Sequence, residues 1–248
     1  MKEKKNKGAR KALIMVISVV LVAAVSVSAT LAYLTAKTTE KDNEFKASGN
    51  ISGKVIEPDY VESKAGNYLP GVPVPKNPMI DNDSANDYEI YVGARLDFYI
   101  DLDNNGSYEQ VTYADFIKFV DITGLPTSTT GTGVWLDKTA SITGNTAGSK
   151  YYFYAKVLQK NDGDSGAGLN AGDDTTPELF TSVTVKKDLK LASDGVAITQ
   201  ADVTAGNLTK TYNGFKFKIK VTGYGTKNEL DTTVDSAQAI ILAALPTA

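Results

Sequence analysis

The sequence predicts an all-β protein, an antiparallel two-sheet β-sandwich with one or two short helices, preceded by an export signal. Three observations predict it: an apolar run behind an N-terminal cluster of cations, strict two-residue alternation in several later segments, and turn residues between those segments. A chain of 248 residues is long enough for one such domain with a full core.

The first 32 residues have the three parts of a secretory signal peptide. Six cations stand within residues 2–11, residues 12–25 are almost entirely apolar, and a Ser/Thr-rich tail follows them. Small residues at Thr30 and Ala32 fit a cleavage pocket that excludes bulky side chains. We therefore predict cleavage between Ala32 and Tyr33 and a mature protein that acts outside the cytoplasm.

A membrane anchor is the alternative interpretation of this segment. No charged residue stands between Ala12 and Ala36, and about 20 apolar residues can span a bilayer. The Ser/Thr-rich tail interrupts the apolar run where a spanning helix would need it, which favours cleavage.

Charge restricts the partners that the mature chain can have. Residues 1–32 carry six of the 26 Lys and Arg residues and one of the 29 Asp and Glu residues, so their removal leaves 216 residues with a net charge of −8. Binding to phosphates depends on clustered cations, and the mature sequence contains no basic cluster of that kind. Nucleic acid is therefore not an expected partner.

The chain contains neither Cys nor His, and this limits its chemistry. Without Cys there are no disulfides, thiol nucleophiles or thiolate metal ligands. Without His, the chain lacks the usual general base near neutral pH and the imidazole ligands of catalytic zinc. We predict that the protein is not an enzyme and has no cofactor; an exported protease is retained as an alternative, to be tested by chelator-sensitive hydrolysis of casein.

The mature sequence divides into an N-terminal leader and strand at residues 33–56 and a β-sandwich domain at residues 57–248. Alternation begins in the first part, where residues 44–55 place polar side chains on one face and small or apolar side chains on the other. The apolar face comprises Phe45, Ala47, Gly49, Ile51, Gly53 and Val55.

Four further segments are predicted strands, and two are predicted helices. Alternating or β-branched residues at 90–101, 151–158, 180–185 and 215–222 indicate strands, and the last of these has one apolar and one lysine-rich face. A helix is predicted at 113–120, where Thr112 and Asp115 form a capping signal, and another at 236–245, before Pro246.

Two loops invite sharper interpretations. Residues 101–109 space oxygen ligands around a glycine, as calcium loops do; the candidate ligands are Asp101, Asp103, Asn105 and Glu109. Thr112 stands where a helical calcium loop has its bidentate Glu, so a hairpin turn is favoured. Residues 67–81 contain four prolines and predict an extended connector at a sheet edge.

Aromatic residues offer a different function, that of a monomeric cell-surface binding module for a carbohydrate or protein ligand. Its candidate contacts are Trp135, Tyr151, Tyr152 and Tyr154. Packing in the core or on a sheet face is the alternative role of these four side chains, and we favour it.

Several segments resemble the TasA and camelysin family of secreted biofilm-matrix proteins. Residues 30–35 (TLAYLT), a Lys/Thr/Glu-rich spacer and residues 43–49 (NEFKASG) resemble that family's export signal and first strand. Residues 69–74 (LPGVPV) and 176–180 (TPELF) resemble its proline-bearing connectors before strands. The export signal is the more specific of these motifs.

The resemblance implies a jelly-roll-like sandwich processed by the dedicated signal peptidase SipW. It also implies extracellular fibres in which each subunit donates its N-terminal strand, at residues 44–55, to the next copy. Other matrix proteins are further expected partners. Part of the family is described as metalloprotease-like, but no catalytic residue carries over to this His-free chain. A strand behind a polar leader is physically suited to join another subunit's open sheet edge.

Overall fold

The computed structural model describes residues 43–47, 53–60, 68–82, 88–160, 174–229 and 233–244. These residues form an all-β fold with short helices, as the sequence predicts. The strands are β1 (Asn43–Ala47), β2 (Lys54–Ile56), β3 (Val74–Pro75), β4 (Met79–Asp81), β5 (Ile90–Ile100), β6 (Glu109–Val111), β7 (Val120–Thr123), β8 (Trp135–Asp137), β9 (Lys150–Tyr154), β10 (Ser182–Val185), β11 (Lys190–Val196), β12 (Thr211–Tyr212) and β13 (Phe217–Lys227). The α-helices are α1 (Tyr113–Phe116), α2 (Gln200–Ala205) and α3 (Val234–Ala244).

A six-stranded sheet is the largest layer. Its order is β1-β13-β5-β9-β8, and β6 also pairs with β5. The centre is the antiparallel pair of β5 and β13, which stay in register from Phe217 opposite Ile100 to Lys227 opposite Ile90. Most pairs are antiparallel, but β1 runs parallel to β13, and β11 runs parallel to β12 in a separate two-stranded sheet.

A three-stranded sheet, β3-β10-β7, forms the second layer. The main apolar core joins side chains from both layers, because alternate residues of each strand point inward. Its members include Leu96, Phe98, Ile219 and Val221 from the large sheet and Val120, Val183 and Val185 from the small one. Pro75 lies in the edge strand β3, which fits the predicted proline-rich connector.

The other face of the large sheet is covered by α3. Ala237 and Ile241 of this helix pack with Tyr91, Phe153 and other aromatic residues in a second apolar cluster. The helix approaches β5 so closely that a Cβ added at Gly93 would lie 2.6 Å from Ile241 Cγ2. The central strand β5 is therefore buried on both faces.

The helices differ in detail from those predicted. Helix α1 has the expected cap, with the Thr112 side chain accepting from Asp115 N, but it ends at Phe116. Residues 117–119 form a turn, and residue 120, the predicted end of the helix, is the first residue of β7. Helix α3 lies close to its predicted position. Helix α2 was not predicted, although Thr199, Asp202 and the left-handed Gly206 supply its capping box and C-cap. Within the part of the chain that the structure describes, every helix is too short or too polar to cross a membrane.

Candidate functional site

The predicted N-terminal strand is divided in the structure. Residues 44–55 supply two short strands, β1 and β2, instead of one continuous strand. Gly49 and Ile51 lie outside the described residues, as do Ala32 and Tyr33 of the predicted cleavage site. Of the predicted apolar face, the structure therefore describes Phe45 and Ala47 in β1, Gly53 just before β2 and Val55 in β2.

Strand β1 occupies one edge of β13. The two strands are in register from Asn43 opposite Val221 to Ala47 opposite Gly225. The other edge of β13 pairs with β5 over its whole length. Since β1 ends the order of the large sheet, it is an edge strand of that sheet.

Phe45 anchors β1 to the body of the protein. It is opposite Gly223 in the register, and its half-buried ring packs against the main core. A Cβ added at Gly223 would lie 2.8 Å from Phe45 Cδ2, and one added at Gly53 would lie 2.6 Å from Phe45 Cζ. The ring therefore lies against backbone on two sides, and a larger residue at either glycine would displace it.

We call this place the β1 groove and define it by Gly53, Val55, Ile80, Gly223 and the β13 edge at residues 221–225. Val55 and Ile80 face each other in the antiparallel pair of β2 and β4. Both lie near Gly223, since a Cβ there would be 3.2 Å from Val55 Cγ2 and 3.3 Å from Ile80 Cδ1. The groove thus accepts one extended segment with one aromatic side chain.

The β1 groove holds its segment by two kinds of contact. A backbone hydrogen bond contributes about 0.5–1.5 kcal/mol net, and full burial of a Phe side chain contributes about 1.5–3 kcal/mol. A five-residue strand with a half-buried Phe45 is therefore bound by a few kcal/mol, on the order of a local opening reaction.

The candidate calcium loop forms the connection of a hairpin. Strands β5 and β6 are antiparallel, with Ile100 opposite Glu109. The buried Asp101 carboxylate accepts from the amides of Asn105 and Gly106 at 3.0 and 3.1 Å, and Lys216 Nζ lies 3.3 Å from its Oδ2. These donors occupy the Asp101 carboxylate oxygens that a cation would need. The loop has the predicted hairpin geometry, because β5 and β6 pair on either side of it.

The remaining candidate ligands of that loop serve the turn as well. Asn105 Oδ1 accepts from Ser107 N at 2.7 Å, and Glu109 Oε2 accepts from Leu102 N at 3.1 Å. Asp103 has a positive φ of 59° and an exposed side chain. Within the described ranges, acidic residues do not come together in a group of three that could hold a metal ion.

The aromatic residues proposed as ligand contacts are buried. Trp135, Tyr151, Tyr152 and Tyr154 are each at most 6% exposed. Trp135 Nε1 donates to the Pro177 carbonyl at 2.8 Å, and the Trp135 and Tyr154 rings lie 5.4 Å apart. Their role is packing, the alternative that the sequence favoured, and they do not form a surface for a ligand.

Comparisons of the chain with protein-family models, curated proteins and solved structures found no match.

Proposed function

We propose that the protein is a secreted structural component of a bacterial extracellular matrix or cell surface, a relative of the TasA and camelysin family, which assembles into fibres by donating its N-terminal strand. The observation that carries the proposal is the β1 groove, in which an N-terminal five-residue strand is added to the edge of β13. A strand that follows the N-terminal leader and lies at a sheet edge can be exchanged between copies while the rest of the sheet stays paired.

The proposed exchange is head-to-tail. Strand β1 of one copy enters the β1 groove of the next, whose own β1 enters a third copy, so the contact does not close on itself and produces a filament. Residues 47–53, fully extended, span about 20 Å, so the next β13 edge has to come this close to Gly53. Neighbouring subunits in such a filament are therefore closely stacked and are not separated by a long linker.

The composition fits this role outside the cell. A Cys-free domain with net charge −8 after removal of residues 1–32 stays soluble before assembly and needs no oxidising compartment. In this proposal the dedicated signal peptidase releases the N-terminus, because a strand tethered in the membrane cannot enter a neighbour. Other matrix proteins with a similar edge are possible partners.

The binding-module alternative loses its support in the structure, since the aromatic contacts that suggested it are buried.

Three forms of the secreted protein test the proposal: the chain beginning at Tyr33, the same chain without residues 33–52, and the Phe45→Asp variant. The first is expected to form filaments. The second has an open β13 edge but no strand to donate. The third loses the anchor ring and places an unpaired carboxylate at a half-buried, apolar position, so both are expected to remain small. Light scattering and electron microscopy measure the outcome.

Lys46→Asp is the matched control for Phe45→Asp. Lys46 is the exposed neighbour of Phe45, so the variant introduces the same side chain without placing it in the groove, and it is expected to form filaments. The truncated chain supplies a second test, because it accepts a strand but cannot donate one. Added to growing filaments at low molar ratio, it should terminate them. Polymerisation of the truncated chain as fast as the intact one would refute the proposal.

A further inference from the structure

We propose that β1 is also an autoinhibitory strand, which fills the β1 groove of its own chain and must leave it before a neighbour's β1 can enter; this inference rests on the proposed function. The structure places residues 43–47 on residues 221–225 of the same chain. The groove that would receive a donated strand is therefore already occupied in the single copy.

The β1 groove cannot hold the β1 of its own chain and the β1 of a neighbour at the same time. The edge of β13 facing away from β1 is paired with β5 throughout, so residues 221–225 offer one edge to one incoming strand. The Phe45 ring fills the space between Gly53 and Gly223, where even an added methyl group would lie within 2.8 Å of it. A second aromatic ring has no room there until the first has left.

The same argument assigns the incoming partner. It has to be an extended segment that runs parallel to β13 and carries an aromatic side chain opposite Gly223, as residues 43–47 do. Strand β1 of a second copy meets these conditions. The consequence is kinetic: at high protein concentration, opening of β1 limits the rate of assembly, which stops rising with concentration.

A disulfide between β1 and β13 tests the inference. The chain has no natural Cys, so Glu44→Cys with Thr222→Cys creates a single pair at register partners. Neighbouring strands lie about 4.8 Å apart, within the Cα separations that a disulfide tolerates. Oxidation of the dilute monomer should give the 44–222 disulfide within one chain, identified by mass spectrometry of peptides, and filament growth should fall at least about tenfold and return on reduction.

The matched control locks two strands without involving β1. Tyr99→Cys with Lys218→Cys joins register partners of β5 and β13, and its oxidised form should assemble at the rate of its reduced form. Equal growth of the oxidised and reduced 44–222 variant would overturn the inference. Absence of filaments even after reduction, and from the unsubstituted protein, would instead refute the proposed function.

Hydrogen exchange on the unsubstituted protein keeps the test independent of the variants. Amides of residues 43–47 that belong to the β1–β13 ladder should be protected in the monomer as well as in the filament. Exchange of these amides at the rate of an unstructured chain in the monomer would show that the groove is empty before assembly and would overturn the inference.

Discussion

The two ends of the large sheet are closed in different ways. At the β8 end, Asp137 N donates to the Ser128 carbonyl at 2.7 Å, and the buried Trp135 donates to the Pro177 carbonyl at 2.8 Å. At the other end, β1 is held by its ladder to β13 and by the half-buried ring of Phe45. Release of β8 would expose the buried Trp135, whereas release of β1 would expose the half-buried Phe45, and this difference makes β1 the candidate connector.

The largest effect is expected from Trp135→Ala at the β8 end. Loss of a buried Trp side chain should lower the free energy of unfolding by about 3–5 kcal/mol, measured by urea denaturation. Trp135→Phe keeps an aromatic ring but loses the bond to Pro177, so its loss should be smaller. Molecules of either variant that remain folded should still assemble. Loss of assembly in a folded Trp135→Phe protein would indicate that β8, and not β1, connects the copies.

A smaller loss of stability, with a larger effect on assembly, is expected from Gly223→Ala. The added methyl group overpacks the β1 groove, which costs about 1–3 kcal/mol and displaces Phe45. Gly93→Ala is the control, because its methyl group would meet Ile241 and the Tyr152 carbonyl instead of β1. At equal concentrations of folded protein, filament yield should fall for Gly223→Ala alone. Equal yields would contradict the assigned role of the groove.

Phe45→Ala isolates the anchor ring. Removal of a half-buried aromatic side chain should lower the free energy of unfolding by about 1–2 kcal/mol, and hydrogen exchange at residues 43–47 should become faster. Lys46→Ala, at the exposed neighbouring position, should change both quantities less than Phe45→Ala does. An exchange rate at residues 43–47 that is the same in Phe45→Ala as in the unsubstituted protein would show that the ladder alone holds β1.

Acid is expected to weaken the β8 end, with the smallest effect of the series. Burial acts to raise the pKa of the Asp137 carboxyl, but hydrogen bonds from Lys150 and Thr139 outweigh it and leave this pKa below its ordinary value. A lowered folded-state pKa contributes stability that is complete above the ordinary value, near 3.9, and is lost as pH falls through the folded-state value. The chain has no His, so stability should change little between about pH 5 and pH 8.

The acid-dependent loss should begin below about pH 4 and should be shallower in Asp137→Asn. Urea denaturation at a series of pH values measures it. An unchanged slope in the Asn variant would remove Asp137 from the cause.

Strands were predicted well where a single segment shows the two-residue alternation of a strand. The alternation at residues 90–101 predicted β5 almost to its ends, because a strand with one face in the core repeats every two residues. The same pattern could not reveal that its second face is also covered. That depends on α3, which packs against it from more than 130 residues further along the chain.

The sequence did not predict which distant segments pair with each other as strands. Residues 44–55 have the alternation of one strand, but the structure uses them in two strands with different partners, β13 for β1 and β4 for β2. The close approach of Phe45 to Gly223 involves residues almost 180 positions apart, and a single sequence does not encode their register in a local pattern. In contrast, α2 has a local signal, the Thr199–Asp202 capping box, from which a sequence alone can predict a helix start.

Exchange of β1 between copies is the central claim, and mixing two single-cysteine proteins tests it most directly. One protein carries Glu44→Cys and the other carries Thr222→Cys, so a 44–222 disulfide can form only between copies. If strands are donated, filaments grown from the mixture and then oxidised should yield this cross-linked dimer, and the oxidised monomers should not. Filaments that form without any 44–222 cross-link would contradict strand donation as the means of assembly.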